Sequence, residues 1–294
     1  MFDHQETGLL AFQKLIVDAD DLGTNPQTLA KLLDVIDNKS VEADKLLPIV
    51  EPDMGLTSNL LRLCNSPFYG IRHEVGSVRE ALVQIGNVPF AKMAFVVSMK
   101  KMLQRDLPSY QITMDQAWRH GLMTAIGAAA IMKVIGRPEQ SDRAFTAGIL
   151  HDCGKLLLDH ELSGLVTGIP NVDGHISVEL ERELTGFDHA EAGAVIMDHW
   201  NFPPLLVHAI RCHHDPRCAG EYSEVAMAVY VADKISHLKT LGVEYDSTAK
   251  TSAYDELIAF GIAVEDLVVI YDLLPNDTDD MMSLALRGKV MPRN

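Results

Sequence analysis

The sequence predicts an all-α fold, arranged as a two-lobed helical bundle. Three observations carry that reading. Apolar residues recur at helical spacing through most of the chain, strand-like alternation is nearly absent, and helix caps stand at the starts of most periodic stretches. With 294 residues and 47% hydrophobic content, the chain can bury a substantial core.

The elements follow in order. Asn25 and Pro26 supply an N-cap and a first-turn proline for a helix whose apolar face is Leu29, Leu32, Leu33 and Ile36. Met54 to Leu63 (MGLTSNLLRL) is a second helix, ended by Asn65-Ser66-Pro67. Ser77 with Glu80 makes a capping box for "VREALVQIG", and Pro89 starts a helix through "FAKMAFVVSMKKML". The stretch "RDLPSYQIT" (105–113) has the composition of a linker or bend and marks a boundary. Thr113 and Gln116 cap "DQAWRHGLMTAIGAAAIMKVI", whose glycines and alanines suit close helix contact. Ser141 precedes "DRAFTAGILHD", with Gly154 as its expected stop. Asp188 and Glu191 frame "HAEAGAVIMDHW", Pro203-Pro204 start "LLVHAIRCHH", and Ser223 starts "EVAMAVYVADKISHLKTL". Two or three short helices are expected in 250–294, where "VEDLVVIYDLL" either extends the lobe or forms a dimer contact. The expected division is 1–108, 109–240 and 241–294.

Composition narrows the function. A formal net charge of −16 opposes a nucleic-acid polymer as partner, because a phosphate backbone repels such a surface. No apolar run is long enough to span a membrane, and the acidic N-terminus lacks a signal-peptide pattern, so a cytoplasmic location without membrane association is expected. Cys64, Cys153, Cys212 and Cys218 form no C-x-x-C pair and read as reduced thiols. Most of the twelve histidines fall from His120 to His237.

Polar residues interrupt the apolar helices at His120, His151-Asp152, His189, His213-His214 and Asp233. A buried imidazole or carboxylate must pair, bind metal or stay wet. Imidazoles with carboxylates and no matching thiolates favour iron, manganese, zinc or cobalt over a cysteine-type structural zinc. Adjacent ligands can serve two ions about 3.5–4 Å apart, an arrangement suited to attack on a phosphoester. Lys155 would then face phosphate. Ordinary roles exist for each residue alone. His120 could be a satisfied core histidine, and His213-His214 could complement a helix dipole. Asp152 could cap a helix or pair with Lys155 or Arg143, and Asp233 could pair with Lys234 or His237. The ordered series of seven is what favours metal.

That order, H…HD…H…HH…D, resembles the HD superfamily of metal-dependent phosphohydrolases, and within it the ligand order is similar to the HD-GYP group. "IVEPDMGLTSNLLRLCNSPFYG", "SVREALVQIG", "AWRHGLMTA", "GILHDCGKLLL", "DHAEAGAVIMDHWNFPPLLVHAIRCHH" and "VYVADKIS" together resemble an HDOD domain, the HD-related output domain of bacterial signalling proteins, over roughly residues 22–240. The resemblance implies an N-terminal helical lobe packed on an HD-like bundle. It implies metal ligands at His120, His151, Asp152, His189, His213, His214 and Asp233. Iron or manganese is the expected metal, with zinc as the alternative, in one or two ions. If the protein is an enzyme, Asp152 and Lys155 would act in catalysis.

Departures accompany the likeness. After His214 the chain reads "DPRCAGEYSE" where an HD-GYP enzyme carries Gly-Tyr-Pro, Gln116 stands where some members place a third-metal glutamate, and Glu51-Pro52-Asp53-Met54 alters the Asp-Pro-x-Leu order. The expected function is a regulatory module, more non-catalytic than catalytic, acting on signalling proteins or a nucleotide, with homo-oligomer formation open. A metal-dependent phosphohydrolase and a metal-free helical scaffold are the alternatives.

Overall fold

Every regular element longer than a 3-10 turn is an α-helix in the computed structural model, which describes residues 25–37, 42–66, 69, 71, 73–103, 105–166, 176–240, 242 and 262–275. No strand occurs among them; the nearest feature is a single antiparallel bridge between Leu107 and Ile112. These residues divide into two units, one ending at Met102 and one beginning at Leu103.

The first unit holds five helices, α1 (Pro26–Asp37), α2 (Ala43–Val50), α3 (Met54–Cys64), α4 (Val78–Ile85) and α5 (Asn87–Met102). Asn25 Oδ1 accepts from the backbone N–H of Gln27, 2.9 Å away, which is the expected cap. Asp53 caps α3 through the N–H of Leu56, and Ser77 caps α4 through that of Glu80. The second half of the expected Ser77 box differs: Glu80 Oε2 accepts from Gly76 N–H rather than from its neighbour. Helix α5 buries Phe90, Met93, Phe95 and Met99 on several faces, and α1, α3 and α4 pack around it. A helix apolar nearly all round belongs inside a bundle.

The second unit is built on α6 (Met114–Val134), flanked by α7 (Ser141–Leu150) and α12 (Ser223–Thr240). The Thr113–Gln116 capping box starts α6. Close approach of α7 is set by Gly148, where a Cβ would stand 2.7 Å from the Ala125 Cα, too near for any side chain. Helices α8 (Lys155–Leu162), α9 (Val178–Thr185), α10 (His189–His199) and α11 (Pro204–Arg211) follow. The Asp188–Glu191 capping box opens α10. Helix α13 (Val264–Leu273) packs on α6 and α12, burying Leu267 and Ile270, and Lys239 donates to the Tyr271 carbonyl at 2.8 Å. It therefore extends this unit. Most of the expected helices in 250–294 lie outside the described residues.

Three details depart from expectation. The bend at 105–113 is tied into the unit: Tyr110 is buried, and Ser109 bonds Asp159 through both its N–H and its hydroxyl. Gly154 does not stop α7, which ends at Leu150; it precedes α8, and a Cβ there would collide with the His189 carbonyl. Finally, the four cysteines are not all reduced. Cys212 and Cys218 are joined by a disulfide, while Cys64 and Cys153 are free and buried. The 3-10 turn Pro216–Tyr222 folds the chain back after α11, bringing the two Cα atoms to 5.7 Å, within bridging range. The expectation of four reduced thiols is thereby corrected for Cys212 and Cys218.

Candidate metal centre

The seven positions singled out by their order converge in the second unit. His120 comes from the middle of α6, and Asp233 from the middle of α12. His151 and Asp152 lie in the short turn between α7 and α8. His189 is the first residue of α10, and His213-His214 follow the end of α11. Five of the seven thus sit where helix backbone ends, and close packing of the Gly154 turn against α10 brings two of those ends together.

Distances separate two groups. His120 Nε2 is 3.0 Å from Asp233 Oδ1, and His151 Nε2 is 3.7 Å from the same oxygen. On the other side, His189 Nε2 lies 2.8 Å from His214 Nε2 and 3.3 Å from His213 Nε2. Asp152 spans them. Its Oδ2 is 3.5 Å from His151 and 3.7 Å from His120, while its Oδ1 is 3.3 Å from His189. Asp233 therefore pairs with the imidazoles of His120 and His151, and Asp152 takes Lys155, at 2.8 Å.

Orientation is set behind the imidazoles. His151 Nδ1–H donates to the Gly148 carbonyl at 2.7 Å, and His213 Nδ1–H to the Ile210 carbonyl at 2.7 Å. His189 Nδ1–H donates to Glu181, 2.8 Å to Oε2 and 2.9 Å to Oε1. These partners accept only, so each ring carries its proton on Nδ1 and turns the Nε2 lone pair inward. His151 Nε2 is buried and has no hydrogen-bond partner. His213 and His189 turn Nε2 toward each other, 3.3 Å apart. Lone pairs and carboxylate oxygens converging on common points are what a cation satisfies. The residues present fit one or two divalent ions, and three overlapping His/Asp groups have their ligand atoms mutually within 4.8 Å.

Electrostatics agree with that set. Burial, with the neighbouring His214, His151 and His189, holds the His213 pKa well below its usual value. Burial and His189 push His214 down to about 3. Both are neutral imidazoles near neutral pH. Burial works against the charge on Asp152, but His151, Lys155, His189 and His120 outweigh it and keep the pKa well below the carboxylate norm. Burial likewise opposes the charge on Asp233, where His120 and the nearby His151 imidazole prevail in the same direction. His151 is raised: burial disfavours its cation, yet Asp152 and Asp233 more than compensate. Cys153, beside the cluster in sequence, is pushed up to about 12 by burial and stays a thiol.

Two supporting residues were not anticipated. Glu181 is fully buried and accepts from the His189 backbone N–H at 2.7 Å, from its ring, and from the Tyr110 hydroxyl at 2.8 Å. Tyr110 lies in the supposed linker. Glu181 sits in "VELERELTG", whose charge density reads as a solvated helix; the one signal was a glutamate eight residues ahead of an N-terminal helix histidine.

Comparison with known proteins places this arrangement. Residues 22–216 match the HDOD domain family model. A relative from Treponema pallidum (strain Nichols), called an uncharacterized protein, is 24% identical over 222 residues; the match covers 73% of this chain but 42% of that protein, about two fifths of its length. Among solved structures, the "Putative phosphohydrolase" of Shewanella amazonensis SB2B is 26% identical, with 92% of this chain and 96% of that one covered and a TM-score of 0.64. The "Putative signal transduction protein" of Marinobacter aquaeolei VT8 shares the fold at 22% identity and a TM-score of 0.70, over 96% of this chain and 64% of that one. With two thirds of its length matched and the all-helical architecture shared, the chain belongs to the HDOD domain family.

Proposed function

We propose that this chain is a metal-binding signalling module whose centre receives a phosphorylated ligand, with signalling proteins as its partners. The observation that carries the reading is the common inward orientation of His151, His189 and His213, with the buried His151 Nε2 left without a hydrogen-bond partner. His120, His151, Asp152 and Asp233 would hold one ion, and Asp152, His189, His213 and His214 a second. Iron or manganese suits these nitrogen and oxygen donors, with zinc as the alternative. When bound, such an ion supplies Lewis-acid stabilisation of phosphate charge.

The chain's own groups prepare the site. Asp152 and Asp233 remain anionic and His213 and His214 neutral, so no proton has to leave those four before metal enters. Lys155 is largely buried and tied to Asp152, and despite burial that carboxylate holds its pKa above the usual value. It is a fixed cation beside the cluster, suited to a phosphate oxygen. Turnover is the second reading, favoured by Lys155 at a two-group His/Asp centre. The chain's lack of Gly-Tyr-Pro after His214 argues against a cyclic dinucleotide of the HD-GYP kind as its substrate.

Elemental analysis of untagged protein after manganese or iron loading should find one to two ions per chain, falling to background in Asp152→Ala. Metal at background in the wild type would overturn the reading. Release of phosphate from a phosphomonoester panel, abolished in His151→Ala, would establish the second reading.

A further inference from the structure

One face of the candidate metal centre opens into a cleft of about 140 Å³, and His120, Asp152 and Lys155 form its polar end. Much of the rest is aliphatic. Leu103, Leu107, Ile112, Ala117, Ile149 and Leu156 line it, and four of these are core residues under 8% exposed, so the wall is preformed. The turn that supplies part of this wall is also fixed: Leu107 and Ile112 exchange both backbone hydrogen bonds, holding Gln111 in left-handed backbone at φ 57°.

What is missing from the lining is equally specific. Nucleobases are normally held by stacking on aromatic or guanidinium planes. Among the described residues, no Phe, Tyr, Trp or Arg lines this cleft. Sugar hydroxyls would need a row of polar partners, and beyond the cluster end the cleft offers few: Gln111, Gln116, His237 and Thr240, with the Gln116 carbonyl already accepting from Thr113. An apolar concavity ending in a cation and a metal-type donor set matches a ligand with one apolar and one anionic end.

The geometry points to an amphiphilic phosphomonoester, a phosphate carried on an aliphatic body, as the ligand of this centre. The phosphate sits at Lys155 and the metal-binding residues, and the aliphatic part lies between Leu107, Ile112, Ile149 and Leu156. This inference rests on the phosphate-facing reading of Lys155 and narrows it from phosphorylated ligands in general to aliphatic ones, away from nucleotides.

Calorimetric titration of the manganese-loaded full chain with orthophosphate and with methyl, butyl and hexyl phosphate tests it, with adenosine monophosphate alongside. Each methylene that enters the cleft should tighten binding about fourfold, so hexyl phosphate should exceed methyl phosphate by roughly tenfold or more. Ala117→Trp and Ile112→Gln, each checked for native helicity, should both lower the hexyl-to-methyl ratio. A flat chain-length series, or adenosine monophosphate binding more tightly than hexyl phosphate, overturns the aliphatic assignment and leaves the phosphate site standing. Failure of orthophosphate and methyl phosphate alike to bind overturns the phosphate reading and this inference with it.

Discussion

Glu181 grips His189 twice: its Oε2 accepts from the His189 backbone N–H at 2.7 Å and from Nδ1–H at 2.8 Å. The carboxylate thus fixes both where α10 begins and which way its first side chain faces. Glu181→Gln keeps the shape but trades one acceptor oxygen for a donor. Metal affinity, read by competition with a chromogenic chelator, should fall about 10- to 100-fold, while far-UV circular dichroism stays native. Tyr110→Phe, which removes the third partner, should cost less. Unchanged affinity in Glu181→Gln would mean that packing alone orients His189.

The Gly154 turn predicts a steric defect. Any Cβ there meets the His189 carbonyl and the Gly193 nitrogen, both backbone atoms that cannot swing aside. Gly154→Ala should lower the urea unfolding free energy by about 1–3 kcal/mol, and metal binding should weaken with it, because α8 and α10 are forced apart at the cluster. Wild-type stability in this variant would show the turn to be pliable.

The Cys212–Cys218 disulfide spans six residues and begins at the residue before His213. A loop that short restrains the unfolded chain by about 2 kcal/mol. Cys218→Ser should lose roughly that amount, and a dithiol reductant should lower the wild-type melting temperature without affecting the variant. Thiol titration of denatured, unreduced wild type should count two free thiols, those of Cys64 and Cys153. Four thiols would show the pair to be reduced.

Burial pushes the Cys64 thiol up to about 11, opposed in part by a backbone hydrogen bond. Folding therefore favours the protonated thiol. The contribution is fully present below the unfolded pKa of about 8.5 and is lost as pH rises through the folded value. Urea midpoints measured from pH 8 upward should decline, and Cys64→Ala should decline less steeply. Parallel slopes would assign the alkaline loss to other groups.

Helical periodicity and caps made most elements legible, since Asn25, Thr113 and Asp188 act locally and their partners lie within four residues. The metal-type cluster was legible for a different reason: a polar residue inside an apolar helix needs a partner wherever the chain finds one. What stayed hidden depends on contacts between distant segments. Glu181 and Tyr110 meet across 71 positions, and each looks ordinary in its own neighbourhood. Gly154 reads as a helix end from its neighbours alone, because its real constraint, the His189 backbone, is 35 positions away. Cys212 and Cys218 carry no C-x-x-C spacing, and only the 3-10 turn between them brings them together.

The three inward-facing imidazoles do not share the same vulnerability. His151 and His213 are steered by main-chain carbonyls three residues behind them, atoms that every amino acid possesses. A new side chain at Ile210 leaves that acceptor in place, whereas at Gly148 the limit is steric, since a Cβ there meets the Ala125 backbone. His189 is steered by a side chain, and one nucleotide change at Glu181 can remove it. Mutational drift can therefore loosen the His189 half of the centre without altering a single ligand, while the His151 half resists the same erosion.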